Sequence, residues 1–214
     1  MTPISIRKAQ QQDAKFLAWA ILTATRSHLP RGWFDIALNR TESECLEFLK
    51  RLTTTRARSQ WHYSRFLVAD GLSGTAAAIS AAPAGDAYSM APIALRETLR
   101  ACGLSPAERE LFWKRGAYLF TCTTRPDDSC LTVEVLATRP EERAQGYTAA
   151  LLARAFEDGR AQGLREAHIT CFIGNLAAER AYGRAGFRLV DERRHSDFEA
   201  VAGAPGIRQF VRTL

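Results

Sequence analysis

The sequence predicts an α/β fold, and two observations carry that prediction. From Leu131 onward a strand, a turn, an amphipathic helix and a second strand follow in order, which is the pattern of a βαβ unit. The chain also opens as a strand followed by a helix, and two β-rich runs flank Gly71 and Gly74 in its middle.

Taken in order, Ile4 to Ala9 alternates apolar and polar residues and predicts the first strand. From Asp13 to Thr25, the spacing of Phe16, Leu17, Ala20, Ile21 and Ala24 predicts a helix with Asp13 at its start. Cys45, Leu46, Phe48, Leu49 and Leu52 form an apolar stripe that predicts a second helix over Glu42 to Leu52. Arg65 to Asp70 and Thr75 to Ser80 read as a hairpin across the glycines. Between Ala81 and Ser129 the pattern weakens into two helices, Pro92 to Ala101 and Pro106 to Lys114. The βαβ unit follows, with strands at Leu131 to Thr138 and Glu166 to Ile173 and a helix at Tyr147 to Gln162. A short helix from Leu176 to Ala185, a strand near Phe187 to Asp191 and a last strand from Ile207 to Leu214 complete the reading.

The 214 residues, 46% of them hydrophobic, suit one domain spanning 1–214, with a helical insertion at about 83–128. No apolar run is long enough for a membrane span, and the opening residues from Met1 to Lys8 lack the apolar stretch of a signal peptide. Five cysteines with no CxxC pair argue against a disulfide framework and a zinc site, so a cytoplasmic protein with no metal is expected. The net charge of +6 favours an anionic ligand. Because the basic residues are spread along the chain rather than clustered among aromatics, neither nucleic acid nor a membrane is expected as partner.

The run Leu136-Ala137-Thr138-Arg139-Pro140-Glu141-Glu142-Arg143-Ala144-Gln145-Gly146-Tyr147-Thr148 lies between a strand and a helix. Unpaired backbone N–H groups and the helix dipole make such a junction a site for anionic oxygens. Gly146 lets the backbone approach a phosphate closely, and Arg143 adds a charge-assisted contact. The competing reading makes Gly146 a loop residue and Arg143 a solvated charge. Downstream, just past the second βαβ strand, stands Asn175-Leu176-Ala177-Ala178-Glu179-Arg180-Ala181-Tyr182-Gly183-Arg184-Ala185-Gly186-Phe187.

This second run resembles the NxxAxxxYxxxGF signature of the GNAT acetyltransferases, and the first resembles their pyrophosphate loop, Arg/Gln-x-x-Gly-x-Gly/Ala. The likeness is strong from Leu131 to Phe187, and the ending from Glu192 is similar to a bacterial subgroup. It implies a mixed sheet of six or seven strands, splayed in the middle where the pantetheine arm of acetyl-CoA inserts. It also implies cofactor contacts at Leu136, Ala137, Thr138, Arg143, Ala144, Gln145, Gly146, Tyr147, Thr148, Asn175 and Ala178. Thr148 departs from the pattern: a β-branched residue there narrows the space beside the pyrophosphate, although its hydroxyl can contact phosphate.

Acylation of an amine by a thioester needs an uncharged amine, a polarised carbonyl and a proton for the departing thiolate. By resemblance, Tyr182 protonates the thiolate and backbone groups near Leu136 to Thr138 polarise the thioester, which a bulge in that strand allows. Glu134, expected on the face opposite Val133 and Val135, is either the general base used by some family members or a strand carboxylate paired with an arginine. Asn175 bonds the cofactor arm, caps the following helix, or does both. His168, His195 and Cys171 read as structural. The expected function is acetyl transfer to a small-molecule or peptide amine by a monomer or homodimer. The alternatives are an acyl-CoA sensor of the same fold, against which Tyr182 and Glu134 count, and a nucleic-acid-binding module.

Overall fold

The computed structural model describes residues 4–72 and 74–214, with the backbone alone at Ala87. Expectations for Met1 to Pro3 and for Ser73 in the hairpin turn lie outside the described residues. Strand β1 (Ser5–Lys8) leads into α1 (Ala14–Arg26), α2 (Trp33–Leu38) and α3 (Glu42–Leu52). The hairpin β2 (Phe66–Gly71) and β3 (Gly74–Pro83) precedes α4 (Ala84–Ala101) and α5 (Pro106–Gly116). The βαβ unit is β4 (Leu131–Thr138), α6 (Tyr147–Ala161) and β5 (Glu166–Phe172). Helix α7 (Leu176–Arg184), β6 (Arg188–Arg194), α8 (Ser196–Ala202) and β7 (Gly206–Thr213) close the chain.

The strands form one seven-stranded sheet in the order β1-β2-β3-β4-β5-β7-β6. Its β4–β5 pair is parallel and the other pairs are antiparallel, so the sheet is mixed as expected. Two cores cover it. One gathers side chains of α1, α2, α3, α5 and α8 with the later part of α4, and the other is built with α6 and α7. No helix of the described residues is long and apolar enough to cross a membrane.

Local chemistry explains several boundaries. Helices α3 and α5 begin with reciprocal caps: Thr41 N–H and Ser105 N–H donate to Glu44 and Glu108 at 2.9 and 2.8 Å, while those glutamates' own N–H groups reach back to the hydroxyls. Helix α2, absent from the sequence reading, is six residues long and mostly buried, so it shows no polar stripe. Its anchor is Trp33, whose Nε1 donates to the Gly116 carbonyl at 2.9 Å. Helix α4 starts eight residues before the expected Pro92, which lies inside it. The turns upstream of Pro92 form undisturbed because the N–H that proline lacks would return only to the Tyr88 carbonyl.

Candidate active site

The site originates in an irregularity of β4. Strand β3 pairs Ala81 with Val133 and then Ser80 with Val135, leaving Glu134 without a partner: a β-bulge. One extra residue reverses the alternation, so Val133 enters the core under α6 while Val135 enters the core under α1. This corrects the expectation that both valines share the face opposite Glu134.

The same residue marks the opening of the sheet. Strand β4 pairs with β5 only through Leu131, Thr132 and Val133, whereas β5 stays paired with β7 as far as Phe172. The backbone from Val135 to Thr138 therefore keeps β3 on one side and has no strand on the other. Donors and acceptors along that edge are free to meet an extended ligand, as in strand addition.

Half-buried Glu134 is tightly engaged there. Its Oε1 accepts hydrogen bonds from the Tyr88 hydroxyl and from Thr132 Oγ1, the latter at 2.8 Å, and the two hydroxyls lie 3.0 Å apart. Burial pushes the Glu134 carboxyl above its ordinary value, against the downward pull of those two donors. Burial, with the adjacent carboxylate, also pushes the Tyr88 phenol far up, so it remains a donor. Neither an arginine nor a lysine pairs with Glu134 among the described residues, which removes the ion-pair alternative. Sequence reasoning missed Tyr88, because its partner lies 46 residues away and no local pattern links them.

Beyond β4, the loop enters α6 through two left-handed residues, Ala144 at φ +64° and Gly146 at φ +87°. Left-handed backbone is rare at alanine and ordinary at glycine. Gly146 is the N-cap of α6, which leaves the helix's first N–H groups without intrahelical partners. A groove of about 580 Å³ adjoins this turn. Thr138, Arg143, Ala144, Gln145, Gly146, Tyr147 and Thr148 line it, and so do Arg160, Arg184 and Arg212, which the sequence reading did not single out. Four guanidinium groups line a groove that starts at the N-terminus of α6 and runs towards its last turn, where Arg160 stands, and this suits a polyanionic ligand, so the chain fits the phosphates of acetyl-CoA. Thr148 does not close the groove; its hydroxyl lies 3.4 Å from that of Thr138.

The second motif forms the wall beyond the splay. Asn175 caps α7 by accepting the Ala178 N–H at 3.1 Å, so the amide of Ala178 is already engaged. Gly186 at φ +83° ends the helix and turns Phe187 into the core, where it packs against Phe156 and Tyr182. Tyr182 is buried edge-on against Phe210, at 5.6 Å between ring centroids. Its hydroxyl makes no hydrogen bond with the described residues. Burial, then Cys171, then Glu134 hold its phenol above the ordinary tyrosine value, keeping it protonated. Burial likewise raises the Cys171 thiol to about 12, which suits a core residue. His195 caps α8, its Nδ1 accepting the Asp197 N–H at 3.1 Å.

Comparison with known proteins agrees with this geometry. An acetyltransferase crystal structure superposes with a TM-score of 0.70, at 19% identity over 98% of each chain. An N-acetyltransferase from Staphylococcus aureus Mu50 superposes at 0.66, with 17% identity over 97% of this chain and 100% of its own. An agmatine N-acetyltransferase mutant in its apo form superposes at 0.57, with 18% identity over 99% of both. No curated protein matches the sequence significantly. The acetyltransferase (GNAT) family model matches residues 37–187, and the chain, with its splayed β4–β5 pair and its glycine-capped α6, belongs to the GNAT family of N-acetyltransferases.

Proposed function

We propose that the protein moves the acetyl group of acetyl-CoA directly onto a primary amine, with Glu134 as general base and Tyr182 as general acid. The observation that carries this reading is the placement of Glu134 on the bulge where β4 parts from β5, within electrostatic reach of a protonated, buried Tyr182. A carboxyl raised by burial is a better base near neutral pH than an exposed one.

When bound, acetyl-CoA supplies an activated thioester. The α6 N-terminus, Arg143 and the backbone around Gly146 hold its phosphates, and the free edge of Leu136 to Thr138 aligns its arm. Glu134 takes the proton of the incoming ammonium, directly or through one water. As the amine nitrogen bonds to the carbonyl carbon and the C–S bond breaks, Tyr182 would give its proton to the sulfur and be restored by the proton released from that nitrogen. Asn175 orients the end of the arm from the start of α7. Cys171 is not used, since direct transfer needs no acyl-enzyme.

The acceptor is a small-molecule or peptide amine, and agmatine, the substrate named for one structural neighbour, belongs to that class. We place the enzyme in the cytoplasm as a single domain, monomeric or homodimeric, with no nucleic-acid or membrane partner. The test is calorimetric titration with acetyl-CoA, followed by a panel of amines with thiol release as readout. Binding with amine-dependent thiol release supports the reading. Binding without release with any amine would leave an acyl-CoA sensor in its place.

A further inference from the structure

Helix α4 is tied to β4 at the bulge. The first turn of α4 is fastened to the chain just ahead of β4: Ala84 N–H donates to the Cys130 carbonyl at 2.9 Å, and Gly85 N–H reaches the Asp128 carbonyl at 3.4 Å. A Cβ added to Gly85 would lie 3.1 Å from Asp128 Cβ, so the two segments touch closely. One turn further along α4, Tyr88 arrives over the bulge. Pro92 has no N–H to return to the Tyr88 carbonyl four residues earlier, which loosens the link between this first part of α4 and the part that packs into the core through Leu95 and Leu99. The position of Tyr88 is therefore set by its anchor on β4 more than by the rest of its helix.

Both hydroxyl donors converge on Oε1 of Glu134, and Oε2 accepts no hydrogen bond from the described residues. Nor is Oε2 among the buried side-chain atoms left without a partner, so it is not sealed from solvent. We propose that Tyr88 is a positioning residue which, together with Thr132, holds one oxygen of the Glu134 carboxylate and leaves the other free to receive the proton of the acceptor amine. Its role as the base's orienter rests on the reading of Glu134 as general base; the clamp itself does not.

The groups facing the carboxylate are few. Tyr88 comes from α4, Thr132 from β4 itself and Tyr182 from α7, while Arg125 acts on Tyr88 from the segment before β4. His168, paired with Thr132 in the sheet, is held neutral by burial. Burial raises the Glu134 carboxyl and Tyr88 lowers it, so removing the phenol leaves burial less opposed.

The experiment is a pH titration of the whole protein labelled with carboxyl-¹³C glutamate, the Glu134 signal being assigned by its loss in Glu134→Gln. The expected result is a wild-type midpoint above that of an exposed glutamate, moved up by about one pH unit in Tyr88→Phe, since a donor to a charged group is worth that much. Thr132→Val should move it the same way. A midpoint unchanged in Tyr88→Phe overturns the proposal. If that variant does not fold, 3-fluorotyrosine at position 88 replaces it: a more acidic phenol donates more strongly and must lower the midpoint, and no movement overturns the proposal equally. Acetyl transfer separates the two readings. A shifted midpoint with full turnover in Glu134→Gln removes the base and keeps the clamp, whereas lost turnover with an unmoved midpoint keeps the base and removes the clamp.

Discussion

Asn175 Nδ2 donates to Ser27 Oγ at 2.8 Å, joining the start of α7 to the end of α1 across 148 residues of sequence. Ser27 stands at the C-cap of α1 in a left-handed conformation, φ +58°, so the bond also pins an uncommon backbone turn. With Oδ1 capping Ala178, each end of the amide holds one partner and keeps one further hydrogen-bonding position. Asn175→Ala should therefore lose a cap and a tie together, about 1–2 kcal/mol. At this chain length that is a fall of about 2–8 °C in the melting temperature. Asn175→Asp keeps the capping oxygen and should melt closer to wild type. Thermal unfolding checks both, and an unchanged melting point for the alanine variant would show that the cap contributes nothing.

Tyr182 differs in kind, because its hydroxyl bonds to none of the described residues while its ring packs against Phe187 and Phe210. Tyr182→Phe should fold with near-normal stability, leave acetyl-CoA affinity nearly unchanged and lower turnover about 10²-fold or more. Steady-state rates beside calorimetric affinities give the comparison. Full turnover in the variant removes Tyr182 from the chemistry.

At Gly146 the constraint is conformational rather than spatial. An added Cβ would meet only Ile4 Cδ1, at an ordinary 3.8 Å, yet φ is +87°. Side chains pay about 1–2 kcal/mol in the left-handed region, more if β-branched. Gly146→Ala should weaken acetyl-CoA binding moderately, and Gly146→Val should abolish it as the loop relaxes away from the phosphates. Titration calorimetry reads both, and normal affinity in the valine variant would remove the cradle from the phosphate site.

Legibility of the fold followed the range of the forces involved. Helix α3 was readable to the residue because its apolar stripe and its Thr41–Glu44 cap are local. Helix α2 was invisible because Trp33, Phe34 and Leu38 are held by tertiary contacts, among them the stacking of Trp33 on Trp61. Helix α8 was hidden by its length, since seven residues hold too few apolar positions to show a periodic stripe and its anchor, Phe198, is fully buried by tertiary contacts.

Within the candidate site the same division holds. The turn before α6 and the Asn175-to-Phe187 run announce themselves through glycines and caps that act within a few residues. The bulge at Glu134 was expected only in general terms, and its effect on Val133 and Val135 was missed because alternation assumes an unbroken pleat. Arg212 reaches the groove from the last strand by lying 4.4 Å over the ring of Phe156, a contact that no sequence window contains.

His168 carries the last prediction. Only 2% exposed, it has no well-formed hydrogen bond on either ring nitrogen among the described residues, and burial lowers its pKa to about 4 against a weaker upward pull from nearby Gln209. In the unfolded chain the same group titrates near its ordinary value of about 6.5. The folded value is the lower one, so the unfolded chain binds the extra proton between them. The contribution to stability is then complete above about pH 6.5 and is lost as pH falls towards 4, by about 3 kcal/mol at most. Glu134, with its folded value raised, acts in the opposite sense as pH rises through its own range, so the informative quantity is the difference between wild type and a variant that shares Glu134. Urea unfolding of wild type and His168→Phe at pH 7.5 and 4.5 supplies it. Wild type should lose more stability than the variant over that interval, whereas parallel losses would mean that His168 is not kept neutral by the fold.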